Sequence, residues 1–236
     1  MMKSLNYQLI LFDIDWTLLK GNLQEHVDGF QYAWKKVLGI EARLSDWPTH
    51  HGQPDAVILE KLPQISHGIK SEIIHNKIED LKGAKEEYFF AHCRQDYTEM
   101  VMPGVRALLS ELKKRSIPLA IKSGNLEKIG WFRLEKAGLK DFFITGGFGD
   151  NVSSKAESVE QAISRIGKIV NTKFVHKNIY DVGDSKYDIE ADLKVGINGI
   201  AVASGFDSRE VLRKTGAKYI LDSLVETDKF LEIISG

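Results

Sequence analysis

The chain has 236 residues, 43% of them hydrophobic and 28% charged, enough apolar material for a core without disulfide or metal staples. Thirty-two basic residues stand against thirty-three acidic ones, so a dominant nucleic-acid or anionic-membrane surface is not indicated. The single cysteine, Cys93, excludes an intrachain disulfide framework and fits a reducing compartment.

Short apolar runs alternate with longer helix-period segments, the mark of an α/β chain with a largely parallel sheet. Residues 8–12 read as a first strand, continuously apolar like one buried on both faces. That run is too short for the apolar centre of a leader or for a membrane span, so a cytoplasmic location is expected. A helix is predicted over residues 22–38, with Leu23, Val27, Phe30, Trp34 and Val37 at intervals of four and three and Gly39 at its end. A loop with Pro48, Gly52 and Pro54 follows, then helices over residues 56–62, 71–81 and 85–97. No strand is predicted between residues 22 and 99, so the block reads as an all-helical insert with its own small core. The expected domains are a core of residues 1–20 and 98–236 and an insert of residues 21–97.

From Pro103 the alternation resumes. Pro103-Gly104 opens a helix with Val105, Leu108, Leu109 and Leu112 on one face. A strand is predicted at 118–121, a helix at 126–137, a strand at 142–145 and a turn at Gly146, Gly147 and Gly149. Ser154-x-x-Glu157 is a capping box for a helix running to Ile166. A strand over 178–182, a helix over 188–195 and a strand over 199–203 come next. Asp207-x-x-Glu210 and Ser223-x-x-Glu226 are expected to cap the last two helices, with a strand at 219–221 between them.

In an open parallel sheet, ligands bind beyond the carboxyl ends of the strands. After the first strand stand Asp13 and Asp15, two carboxylates that can point to one site. Crowded carboxylates repel unless a cation or a shared proton compensates, and Mg2+ binds through one or two carboxylates plus phosphate. The same residues also fit a solvated turn. After the strand at 118–121 come Lys122-Ser123-Gly124-Asn125 at a helix start, which fits an anion site or a plain N-cap. Lys155 in a first helical turn fits a nearby anion or an exposed lysine. After the strand at 178–182 come Asp184 and Asp188, the latter equally a helix N-cap.

In chain order these residues resemble the four signatures of the haloacid dehalogenase superfamily, and its phosphoglycolate-phosphatase-like branch in particular. The signatures stand as Asp13-Ile-Asp-Trp-Thr-Leu-Leu, Leu119-Ala-Ile-Lys-Ser-Gly-Asn, Lys155, and Val182-Gly-Asp-Ser-Lys-Tyr-Asp188. The resemblance implies a Rossmann-like parallel sheet core flanked by helices, with a small all-helical cap inserted after the first strand. It implies a Mg2+-dependent phosphatase acting on a small, phosphoglycolate-like monoester through an aspartyl-phosphate. Asp13 is then the nucleophile and Asp15 the general acid and base, while Ser123, Gly124 and Lys155 hold the phosphoryl oxygens. Asp13, Asp184 and the main-chain carbonyl of Asp15 hold Mg2+, supported by Asp188 and Thr17. A phosphomutase, or a silent phosphate- and metal-binding homologue, are the alternatives. A receiver-type signalling domain fits less well, being shorter and without a helical insert. The expected partner is a small phosphorylated metabolite, not nucleic acid or membrane, with the protein a monomer or homodimer.

Three residues depart from the family pattern. Trp16 stands where glycine is usual and is expected to narrow the mouth or pack on the cap. Lys122 and Asp181 are charged inside strands that are usually apolar; Asp181 fits a sheet edge or a cation pair. His50, His51 and Gln53 are placed to meet a leaving group, with His51 and Gln53 taken as specificity residues, although a polar inter-helix loop is the simpler account of each. Trp34, Phe89 and Phe90 are expected in the insert's core, and Cys93 as a small core residue.

Overall fold

β1 (Leu9–Phe12) is buried along its whole length, as its unbroken apolar run requires. The computed structural model describes residues 8–21 and 23–235. The first seven residues and Asn22, the expected start of the first helix, lie outside the described residues. Beside β1 lie β2 (Leu119–Lys122), β3 (Thr145–Gly147), β4 (Ile179–Gly183), β5 (Asn198–Val202) and β6 (Tyr219–Leu221). All pair in parallel, in the order β3-β2-β1-β4-β5-β6. The chain builds outward from β1 to β3, then crosses back to β4. The carboxyl ends of β1 and β4 therefore flank the switch point of a doubly wound sheet, where such folds bind ligands.

Side chains alternate across the sheet. Ile10, Phe12, Ile121 and Val182 face α5 (Val105–Lys114), α6 (Glu127–Lys136) and α10 (Thr227–Ser235) in the larger core. Leu9, Leu11, Ala120 and Ile179 face α7 (Lys155–Ile169) and α8 (Lys186–Val195). α9 (Arg209–Lys214) buries Leu212 against Ile189 of α8.

Between β1 and α5 stand α1 (Gln24–Leu38), α2 (Asp55–His67), α3 (Ser71–His75) and α4 (Ile78–His92), with a core of Phe30, Trp34, Leu59, Leu62, Ile74 and Leu81. α2 runs past its expected end at residue 62, with Pro63 inside it. A proline there cannot bond to the carbonyl of Leu59 one turn back. The Trp34 indole N–H donates to that oxygen instead, at 3.1 Å, and the helix continues.

The other departures also have local causes. The helices expected over 71–81 and 85–97 are redivided, because α4 runs unbroken through Gly83, where no breaker intervenes, with Leu81, Ala84 and Phe89 buried. β3 takes in Gly146 and Gly147, two of the three glycines expected to turn, while Gly149 lies in a turn as expected; α7 crosses so close to β3 that a Cβ on Gly147 would lie 1.9 Å from the Ser158 carbonyl oxygen. Neither Ser123 nor Asn125 caps α6, whose first N–H groups instead reach carboxylates, Leu126 N–H to Asp55 at 3.1 Å and Glu127 N–H to Asp150 at 2.6 Å. α8 starts at Lys186, with Ser185 as N-cap and Asp188 closing the capping box. Ser208, not Asp207, caps α9, because Asp207 accepts from the Lys186 N–H. Ser223 and Glu226 bond to main-chain N–H groups of the turn before α10. Ser154 caps α7 as expected, accepting from the Glu157 N–H. Phe89 joins the larger core, and Phe90 is exposed yet rests on Phe132 at 5.2 Å between ring centroids.

Candidate active site

β1 delivers Asp13 and β4 delivers Asp184 to the switch point, where the Asp13 N–H donates to the Val182 carbonyl at 2.9 Å. α8 adds Asp188 from its first turn. Carboxylate oxygens of Asp13, Asp184 and Asp188 lie within 4.8 Å of one another, all buried. α7 delivers Lys155, whose Nζ lies 3.4 Å from Asp13 and 2.6 Å from Asp188. Thr17 donates from Oγ1 to Asp184 at 3.2 Å. Ser123, fully buried, accepts from the Asn125 side-chain amide at 2.9 Å.

These contacts set the charges. Burial, with Asp188 adding to it against the opposing pull of Lys155, raises Asp13 to about 6. Burial, reinforced by Asp188 and Asp13, raises Asp184 to about 8. Burial works on Asp188 as well, but Lys122 and Lys155 outweigh it and hold that carboxyl well below its ordinary range. Asp15 is also held low: against burial act the Arg133 guanidinium, at 2.8 Å, and the Asn125 amide, at 2.6 Å.

The two unusual charges inside the sheet form one ion pair. Lys122 on β2 and Asp181 on β4 meet at 3.0 Å over the intervening β1, both fully buried. Asp181 is thus in the middle of the sheet, not at an edge. The Lys122 ammonium also bonds to Asp188, so it ties that carboxylate down from beneath.

A cavity of about 470 Å³ opens over this cluster and is lined by Asp13, Asp15, Ser123, Gly124, Lys155 and Asp184 among others. The insert forms its roof with Phe30, Leu44, Ile58, His50, His51 and Gln53. His51 lies 5.5 Å from Phe206 of the core between ring centroids, and Gly52, at φ 77°, sits so close to Tyr187 that any Cβ would overlap its ring. Trp16 takes a left-handed φ of 57°, where glycine is easier, and its indole lies across Gly21 at the entry to the insert. It also lines the cavity, as its position predicts.

Three residues of this region escaped the sequence reading, His26, Lys85 and Arg133, while Asn125 was read only as part of an anion site or N-cap and Asp55 only as the end of the loop after the first helix. Asp55, at the start of α2, pairs with the wholly buried Lys85 and lies 3.3 Å from His26 Nε2. The one sequence signal was a charge on an otherwise apolar face, with Arg133 four residues after Ile129 and beside Leu134.

Comparison with known proteins follows the same line. The family model of haloacid dehalogenase-like hydrolases matches residues 10–202. A phosphoglycolate phosphatase of Synechococcus elongatus is 30% identical over 123 residues, which is 52% of this chain and 55% of that protein, so the match spans about half of each. A predicted phosphatase from Clostridium acetobutylicum superposes with a TM-score of 0.70 at 25% identity, over 96% of this chain and 99% of that one. A β-phosphoglucomutase from Clostridium difficile shares the fold at a TM-score of 0.69 and 18% identity, over 98% of this chain and 100% of that one. With the family model spanning the switch point and all four signatures, the chain belongs to the haloacid dehalogenase-like hydrolases.

Proposed function

We propose that the protein is a Mg2+-dependent phosphatase that hydrolyses a small phosphate monoester through an aspartyl-phosphate on Asp13. The observation that carries this reading is the convergence of Asp13, Asp184 and Asp188 within 4.8 Å, with Lys155 against Asp13 and Ser123 in the same cavity. The donor set fits a hard divalent cation, because all three are oxygen ligands and the repulsion that helps raise Asp184 is what such an ion relieves. Asp188 has both oxygens engaged by Lys122, Lys155 and Ser185, so Asp13 and Asp184 are the carboxylates left to hold the ion. When bound, Mg2+ supplies positive charge that lets an anionic carboxylate approach an anionic phosphoryl group.

The chain's own groups do the rest. Lys155 and Ser123 orient the phosphoryl oxygens. An Asp13 carboxylate oxygen forms a bond to phosphorus as the ester oxygen leaves with the bonding pair and takes a proton from Asp15. Water then attacks the phosphorus and gives a proton to Asp15. The Asp13–phosphorus bond breaks, and inorganic phosphate departs. In the resting site the Arg133 guanidinium and the Asn125 amide favour the ionised form of Asp15. A dianionic phosphoryl group arriving beside it raises its proton affinity, so protonation accompanies substrate binding.

Replacing Asp13 with Asn is expected to abolish release of inorganic phosphate from p-nitrophenyl phosphate while the circular dichroism spectrum stays native. Unchanged turnover would overturn the mechanism. Release of phosphate into a buffer without any sugar acceptor separates this reading from a phosphomutase. Among the described residues no helix is long and apolar enough to cross a membrane.

A further inference from the structure

Beside the polar groups that line the cavity runs an apolar wall, supplied mostly by the insert. Trp16, Leu23, Val27, Phe30, Leu44 and Ile58 form it. A two-carbon leaving group would leave most of about 470 Å³ as water held against these apolar walls, which is unfavourable.

The charges around the cavity point the same way. Among the described residues that line it, the full cations are Lys155 and Arg133. Lys155 is engaged by Asp13 and Asp188, and Arg133 by Asp15. The insert's Lys85 is wholly buried against Asp55. What the insert itself presents is the Asp55 carboxylate and three histidines. His26 lies against Asp55, and His50 Nδ1 is 2.7 Å from the Trp47 carbonyl oxygen. Burial, and then the neighbouring His50, push the His51 ring toward its neutral form. A carboxylate on the leaving group would thus meet no unpaired lysine or arginine among the described lining residues.

We infer that the leaving group is an uncharged alcohol carrying an apolar ring, not a carboxylated one such as glycolate. This rests on the phosphatase reading above. The ring packs on the aliphatic and aromatic wall, and His51 and Gln53 offer hydrogen bonds to neutral substituents.

The test compares kcat/KM for benzyl phosphate, ethyl phosphate and phosphoglycolate, all alkyl esters, with saturating Mg2+. Benzyl phosphate is expected to exceed phosphoglycolate by about tenfold or more, equivalent to roughly 1.4 kcal/mol of transition-state binding. Ethyl phosphate is expected between them, since it lacks both ring and charge. Phosphoglycolate turned over as well as benzyl phosphate would overturn the inference and leave the phosphatase reading standing. Cleavage of none of the three, nor of p-nitrophenyl phosphate, would overturn the phosphatase reading itself and the inference with it. A folded Val27→Arg variant, which adds a cation to the wall, is expected to lower the benzyl-to-glycolate ratio by about tenfold; an unmoved ratio counts against the wall as the selective element.

Discussion

Asp13 and Asp184 are held in places that suit their protonated forms better than their ionised ones. Their pKa values stand at about 6 and about 8, against an ordinary 3.8. A carboxyl whose pKa rises on folding stabilises the fold below its unfolded value, and that contribution is lost as pH rises through the folded value. The metal-free protein is therefore expected to lose stability from about pH 4 to about pH 8 through these two groups. Mg2+ held by the ionised pair, as proposed, would offset the loss, so the difference in Tm between Mg2+ and EDTA should widen over that window. A constant difference would show that the cation does not compete with these protons. These residues were legible in the sequence because each directly follows an apolar run that could only be a strand. The pairing of Asn125 and Arg133 with Asp15, which sets its charge, was not, because a polar residue on or before a helix does not announce which strand tip it will face.

Three adjacent strands share one buried ionic device. Lys122 on β2 reaches over β1 to Asp181 on β4 and to Asp188 on α8. Removing one partner of such a cluster leaves the others charged without compensation. Lys122→Met is expected to destabilise the protein by roughly 3–5 kcal/mol in urea unfolding. Adding Asp181→Leu should recover part of that loss, so the pair of changes costs less than the sum of the two alone. Strictly additive costs would show that the side chains do not depend on each other. The sequence displayed both charges as anomalies yet could not join them, since strand order and register decide that β2 and β4 both flank β1. The same limit explains β3. Gly146 and Gly147 read as a turn, and their parallel pairing with Ile121 and Lys122 of β2 makes them strand residues.

For the whole molecule, Asp55 is where the insert grips the core. Its carboxylate takes Lys85 and the Leu126 N–H, and its own N–H donates to the Gly124 carbonyl at 2.8 Å. The next residue, Ala56, donates to the Gly149 carbonyl at 3.1 Å. Asp55→Ala strands the Lys85 ammonium in a buried place and is expected to cost about 3–5 kcal/mol. It should also raise KM more than it lowers kcat, because the roof over the leaving group is loosened while Asp13 and Lys155 keep their places. Calorimetry and steady-state kinetics read the two effects separately, and a loss in kcat alone would count against Asp55 as the grip.

The sequence by itself determined the alternation of strands and helices, the helical block between the first two strands, and the order of acidic, hydroxyl and lysine residues at the strand tips. These properties are local: hydrophobic period and position after a strand are written in adjacent residues. Only the tertiary structure decided the pairings Lys122–Asp181, Arg133–Asp15 and Lys85–Asp55, and with them the charge of the site and the apolar character of its roof. Each joins segments far apart in the chain. Its partner is set by which helix crosses which strand, and no local pattern of side chains encodes that.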